Sequence, residues 1–287
     1  MPPSTATVLL SSPRESPPSS VERAIRILRV MSDGSKSRLT DIALAAGLDK
    51  ATALRLLEVL ERDGFVARNP QTKLFTLGPE LRVLGAAALQ RFDPRPVVRP
   101  SLMRLTGAFQ DSVVLSIPSG SESLCIHVEE GSYPIRANYL TVGSRRPLGV
   151  GAGSLALLAW MTPAEREAVL EVMAGQLGRY PRITPALLQE RIAQARERGY
   201  ALLLDVVVER MGGMAVPILD ADGHPVAAIS ITGLNDRILA REAAMAQALK
   251  REATVCQVLW SEATRPAATE PRPARKAAPR ATPAPRP

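Results

Sequence analysis

The chain has two cysteines and two histidines in 287 residues, and that scarcity closes several routes to chemistry. Cys125 and Cys256 stand far apart in apolar surroundings. They are expected as reduced core residues, not as a disulfide or a metal site. His127 and His224 form no ligand-spaced cluster. There is no nucleophile–base–orienter set, P-loop or dinucleotide fingerprint. The spaced glycines of Gly149–Gly153 follow no nucleotide-binding strand pattern. Catalytic residues, metal and cofactor are therefore none in this reading. No apolar run approaches the ~18 residues needed to cross a bilayer. Met1–Ser19 lacks the charged start and apolar centre of a secretory signal. A cytoplasmic chain without a membrane partner is expected.

What is present is charge, unevenly placed. The net charge is +8; residues 1–92 carry 13 Lys+Arg against 9 Asp+Glu, and residues 93–261 carry 17 of each. Residues 262–287 add 6 basic and 2 acidic residues. A basic first third beside a neutral middle suits one module on phosphate and another on something small or uncharged. Residues 1–19 and the Pro/Ala/Arg-rich 262–287 are expected to be disordered, for want of large apolar side chains.

Between these ends, residues 20–78 read as a winged helix-turn-helix. Ser20 is the expected N-cap of a first helix with Val21, Ile25, Leu28 and Met31 at helical spacing, stopped by Asp33-Gly34. Thr40 is expected to cap Asp41–Ala46, with Ile42 and Ala45 on its apolar face. Gly47 then turns the chain and Asp49 caps Lys50–Asp63. Ala53, Leu54, Leu56, Leu57 and Leu60 fall on the inner side of that helix. Lys50, Ala51, Thr52 and Arg55 are left at its outward N-terminal half. Such a half reaches base edges and phosphates in the major groove, where Arg55 suits guanine or a phosphate. Phe65–Arg68 and Lys73–Leu77 flank an Asn69-Pro70 turn and form the wing, with Arg68 and Lys73 set to touch phosphate. Double-stranded operator DNA is the expected partner.

Residues 79–92 read as an apolar linker helix, a connector and dimerisation element closed by Asp93-Pro94. Residues 93–261 alternate helices and strands. Helices are expected at Val97–Phe109, Ala152–Met161, after Thr162, after Thr184, and at Ala240–Ser261. Strands are expected at Ser112–Ser116, Ser123–Val128, Ile135–Leu140, Tyr200–Val207, Met214–Leu219 and Val226–Thr232. The class is α+β, with antiparallel strands covered by helices. Arg145 and Arg146 could attract an anion or simply mark a surface turn.

With both halves in place, the chain resembles the IclR family of bacterial transcription regulators. The resemblance runs from Ser20 to Trp260. It rests on Ser20–Ala24 with Ile27-Leu28, Leu39–Ala43, Ala46–Leu48, Ala53–Leu57, Leu60 and Gly64, and Leu77-Gly78. In the second half it rests on Gly143–Arg145, Pro147-Leu148, Gly151–Gly153, Arg196–Tyr200, Ala215–Pro217, Asp222-Gly223 and Ala227–Gly233. It implies a GAF-like effector-binding domain, a dimer or dimer of dimers, and a small-molecule effector, often an organic acid. It implies an effector pocket at Gly151, Ala152, Gly153 and Ser230, where glycines let backbone N–H groups approach a carboxylate. The family commonly has an acid where Leu203 stands and a cysteine or similar residue where Gly213 stands. Leu202-Leu203-Leu204 makes that edge apolar and leaves Asp205 as the nearest acid, free to meet an effector or Arg210. An effector larger or less polar than a two- or three-carbon acid is inferred. The competing readings are a DNA reader fused to a small-molecule-processing enzyme and an effector-independent architectural factor.

Overall fold

The structure, a computed structural model, describes residues 18–264 apart from residues 33, 92 and 137–139. The expectations for residues 1–17 and 265–287 lie outside the described residues. At both borders regular structure reaches further than expected. Ser19 is the cap of the first helix, and the last helix runs on to Thr264.

Helix α1, Ser20–Val30, begins one residue earlier than Ser20 as cap would place it. Glu22 lies three residues beyond Ser19, so the two close a capping box. The Ser19 amide donates to Glu22 at 2.6 Å and the Glu22 amide donates back to Ser19 Oγ at 3.2 Å. Helix α2, Leu39–Ala46, also starts early. Its N-cap is Arg38, without a side-chain cap, while Thr40 Oγ1 donates to Asp41. Gly47 ends it in the left-handed conformation at φ 64°. Asp49 caps α3, Lys50–Arg62, by accepting the Thr52 amide at 2.8 Å. Strands β1, Val66–Arg68, and β2, Phe75–Leu77, pair antiparallel as the wing.

The core of this head is Ile27, Met31, Ile42, Ala46, Leu57, Val66 and Phe75. Two apolar-face assignments fail. Val21 and Ile25 are exposed, because α1 turns Ile27 and Met31 inward; Ala45 is exposed and Ala43 takes its place. Helix α4, Glu80–Arg91, lies almost wholly on the surface, Val83, Leu84 and Leu89 included.

The second domain follows with helix α5, Pro94–Phe109, which buries the expected Val98, Leu102, Leu105 and Phe109. Its sheet is six-stranded, β5-β4-β3-β8-β7-β6, antiparallel throughout. Strands β3, Ser112–Ser119, and β4, Glu122–Glu129, form one hairpin. Strands β7, Met211–Leu219, and β8, Pro225–Leu234, form the other. The hairpins join through β3 and β8, with β5, Arg145–Pro147, and β6, Ala201–Leu204, at the edges.

The strand expected at Ile135–Leu140 is absent from its described residues, and β5 takes the ladder position beside β4 instead. Just before that segment, Tyr133 is held by the Arg237 guanidinium, 3.5 Å over its ring, and its amide donates to Gln110 O at 3.0 Å. Strand β6 stops at Leu204, three residues short. Asp205 takes φ 62° and its carboxylate accepts the Arg210 amide at 2.7 Å, turning the chain.

Both faces of the sheet are covered. Helix α5, the short α9, Asn235–Leu239, and α10, Glu242–Thr264, cover one. Helices α6, Ala152–Trp160, α7, Pro163–Met173, and α8, Pro185–Arg198, cover the other. The helix expected at Ala240–Ser261 is α10, and a short unexpected helix, α9, precedes it. The break leaves Arg237 and Arg241 side by side on buried Asp111, at 3.0 and 2.6 Å. A second strap joins α5 to α10 through Arg104 and Glu252 at 2.6 Å. Arg104 draws the Glu252 carboxyl below its ordinary range.

Candidate functional site

Two surfaces carry the chemistry. The first is the N-terminal half of α3. Its register is set by Ala53 and Leu57, which are fully buried, so Lys50, Ala51 and Arg55 are exposed and Thr52 is half-buried. Arg55 reaches back to Thr52 Oγ1 at 3.5 Å, keeping both on one outward face. Asp49, held below its usual pKa by the Thr52 amide, places its charge at the start of this helix.

The wing arranges its two cations differently. Asn69 Oδ1 accepts the amides of Gln71 and Thr72, both at 2.9 Å, and its backbone pairs with Leu74 and Lys73. This tight turn puts Lys73 at φ 60° and leaves it exposed. Arg68 is less free than a phosphate-seeking side chain at a wing tip. Its guanidinium lies 5.0 Å over the Phe75 ring, and its buried Nε has no hydrogen-bond partner.

The second surface is a cavity between the sheet and the start of α6. Gly151, at φ 108°, precedes α6, and no side chain caps the helix. The first-turn amides are thus open to an acceptor. A Cβ at Gly151 would be strained and would lie 3.4 Å from Arg146 Nη1. Gly213 lets β7 approach the helix, since a Cβ there would sit 3.1 Å from the Ala152 Cβ. Of the seven expected effector residues, Gly151, Ala152, Gly153, Leu203, Gly213 and Ser230 line this cavity. Asp205 does not line it, for its carboxylate closes the turn at Arg210.

The leucine run is likewise divided. Leu203 faces the cavity, while Leu202 packs with the core on the opposite face of the sheet, as strand alternation requires. The edge stays apolar through Val206, Val207 and Met211, which line the cavity beside Leu203.

Sequence reasoning missed Ser116, Ser123, Ser154 and Thr232, which with Ser230 give the cavity five hydroxyls. A signal was present. Ser230 and Thr232 occupy alternate positions of β8, whose intervening Ile229 and Ile231 enter the opposite core. Small hydroxyls at period two on one face of an apolar strand mark an unfilled face. The adjacent arginines separate: Arg146 lines the cavity, whereas Arg145 is tied to Glu122 at 3.2 Å and Ser119 at 3.0 Å. The cavity volume is about 50 Å³, against roughly 10–15 Å³ for one water on the same measure.

Other reactive side chains are structurally occupied. Both cysteines are free and buried, and burial pushes the Cys125 thiol up to about 11. Asp220, Asp222 and His224 cluster at the β7–β8 turn. There Asp220 Oδ1 already accepts the amides of Asp222 and His224.

Comparison with known proteins accords with this arrangement. The IclR helix-turn-helix domain matches residues 20–70, and the bacterial transcriptional regulator IclR C-terminal domain matches residues 86–257. The chain is 32% identical over 232 residues to the HTH-type transcriptional regulator XynR of Escherichia coli (strain K12), covering 78% of this chain and 90% of that one. It is 32% identical over 233 residues to the HTH-type transcriptional regulator BhcR of Paracoccus denitrificans (strain Pd 1222), covering 80% and 82%. A solved IclR transcriptional regulator from Alicyclobacillus acidocaldarius has a TM-score of 0.68 at 25% identity, covering 84% of this chain and 98% of that one. These relatives are named as regulators of transcription, not as enzymes. With a helix-turn-helix head joined to an effector-binding domain, the chain belongs to the IclR family of bacterial transcription regulators.

Proposed function

We propose that this regulator reads its operator with Lys50, Ala51, Thr52 and Arg55, and answers to a small carboxylate in the α6 cavity. The observation that carries the effector class is the uncapped start of α6 beside Arg146 and the hydroxyls of Ser116 and Ser230. Amides at a helix start, a guanidinium and hydroxyls all donate to an anion. The small volume and the walls of Val114, Val150 and Leu203 favour a compact body of a few carbons. Bound effector shifts the population of head arrangements and so alters operator affinity. The exposed apolar residues Val83, Leu84 and Leu89 of α4 favour self-association there, which pairs two heads on a two-fold operator.

The test is a fluorescence-anisotropy titration against duplexes from upstream of the protein's gene and its neighbours, with and without short mono- and dicarboxylates. One fragment is expected to bind far more tightly than the rest. Arg55→Ala is expected to remove about 1–3 kcal/mol of that preference. An active carboxylate changes operator affinity by some factor, and operator must change carboxylate affinity by the same factor. Equal weak binding to every fragment would overturn operator reading. Failure of any small anion to bind, in a calorimetric screen, would overturn the effector class.

A further inference from the structure

One wall of the effector cavity differs from the rest. The β6–β7 hairpin lends it Leu203, Val206, Val207, Met211, Gly212 and Gly213, and no polar side chain. The donors come from other elements, among them Arg146 of β5, Ser116 of β3 and the start of α6. Within the hairpin, Val206 and Val207 lie on the loop that joins the strands and on neither strand. The two ends of that loop, Asp205 and Arg210, both take φ 62°, a left-handed backbone that residues with side chains adopt at a cost. Hydrogen bonds hold it in that shape. Besides the Asp205 carboxylate on the Arg210 amide, the Asp205 amide donates to Met211 O and the Asn235 amide to Arg210 O, both at 3.0 Å. On the solvent side the loop is latched by Arg182, which precedes α8. Its Nη1 donates to Asp205 O at 2.8 Å and its Nη2 to Glu209 at 3.1 Å. The Arg182 side chain is 47% exposed and that of Glu209 75%, so the latch is weak and can give way. The two valines are half-buried and pack against the side of the core that α6 and α8 cover.

We infer that Val206 and Val207 form an adjustable wall that sets the length of the effector's hydrocarbon part, with Arg182 as the positioning residue that keeps the wall in place. The ligand class is a carboxylate with an apolar tail, since the cavity offers donors to one end of such a molecule and only hydrocarbon from this hairpin to the other. With the latch made, the cavity of about 50 Å³ admits a short tail. A longer tail has to displace a loop held by an exposed latch, which yields more readily than a strand or helix of the packed core. Each methylene buried against the wall adds about fourfold in affinity until the wall has to move. The inference rests on the reading of this cavity as the effector site, and adds the residues that choose among carboxylates.

The experiment follows the Tm of the full-length chain with equal concentrations of acetate, propionate, butyrate, pentanoate and hexanoate, and with the straight-chain alcohols of the same lengths. Each shift is read against the variant's own ligand-free Tm, so a loss of stability alone does not enter. Wild type is expected to show a peak at a short acid and a fall beyond it. Val207→Ala removes both γ-methyl groups and should move the peak up by about two carbons. Val208→Ala, exposed on the same loop, should leave the peak in place. Arg182→Ala should raise the affinity of acids beyond the peak by about threefold. It should also speed hydrogen exchange at the amides of Val206 to Glu209 but not in β8, and Arg182→Lys should restore part of both. A peak that stays put in Val207→Ala would overturn the wall. An unchanged profile and unchanged exchange in Arg182→Ala would overturn the latch. If the acids fail but the alcohols show a peak that Val207→Ala moves, the wall stands and the carboxylate reading falls. If neither series stabilises wild type or Val207→Ala, both fall.

Discussion

The head and the effector domain solve opposite problems. The head works with its outside. Its seven-residue core holds three helices and a hairpin still, and the side chains proposed to meet DNA are exposed on α3. The effector domain works with an inside. One face of its sheet is filled by α5, α9 and α10 with valine, isoleucine and leucine, while near α6 the other face carries glycine and serine. A binding cavity therefore comes from incomplete packing on one side of a sheet whose other side is packed fully. The unfilled region must be compensated, and the straps Asp111–Arg237–Arg241 and Arg104–Glu252 tie the covering helices down. The head has no comparable buried ion pair among the described residues.

That contrast is broken most severely by Leu57→Ala. It empties the centre of a small core and is expected to cost about 3–5 kcal/mol. DNA binding should vanish, while small-ligand stabilisation of the second domain persists in calorimetry. Loss of both functions together would show that the domains do not fold separately.

Asp111→Ala attacks the other side. It strands two arginines, and because those keep partial contact with water, the expected cost is about 3 kcal/mol by urea unfolding. The effect should fall on the effector domain, with the head's DNA affinity for unrelated duplex unchanged. Next comes Gly153→Ala. A Cβ there meets Ser230 Oγ at 3.3 Å, inside the cavity but within a helix that gains up to about 1 kcal/mol from alanine. Stability should hold or rise while carboxylate binding falls, read as loss of the ligand-induced Tm shift.

The smallest effect is pH-dependent. Arg104 holds the Glu252 carboxyl below its ordinary 4.5, so its contribution is complete above about pH 4.5. It is lost as pH falls through the lowered folded value. Glu252→Gln should flatten the acid limb of the stability curve in that range; an unchanged limb would show the strap to be energetically silent.

The reading helix was legible because its information is local. Asp49 as a cap and the buried spacing of Ala53 and Leu57 fix which residues face out, with no knowledge of the rest of the chain. Local signals also misled by small steps. Ser20 and Thr40 have the right chemistry for caps, but Glu22 selects Ser19, and α2 begins before Thr40. The cavity was only half legible. Gly151–Gly153, Leu203, Gly213 and Ser230 came through resemblance, whereas Ser116, Ser123 and Arg146 reach it through strand register. Asp205 shows the limit of proximity in sequence. It lies two residues from Leu203, and its backbone turns its carboxylate onto Arg210.

By itself, then, the sequence determined the helix-turn-helix, the wing and the apolar stripes that cover a sheet, since caps, turns and periodicity act over a few residues. Tertiary structure decided which hydroxyls share a cavity and which of two adjacent arginines lines it. Those outcomes depend on contacts between separate segments, from β4 with β5 in the case of the arginines to β3 with β8, more than a hundred residues apart, in the case of the hydroxyls. No local pattern specifies that pairing. It follows from burying two sheet faces at once.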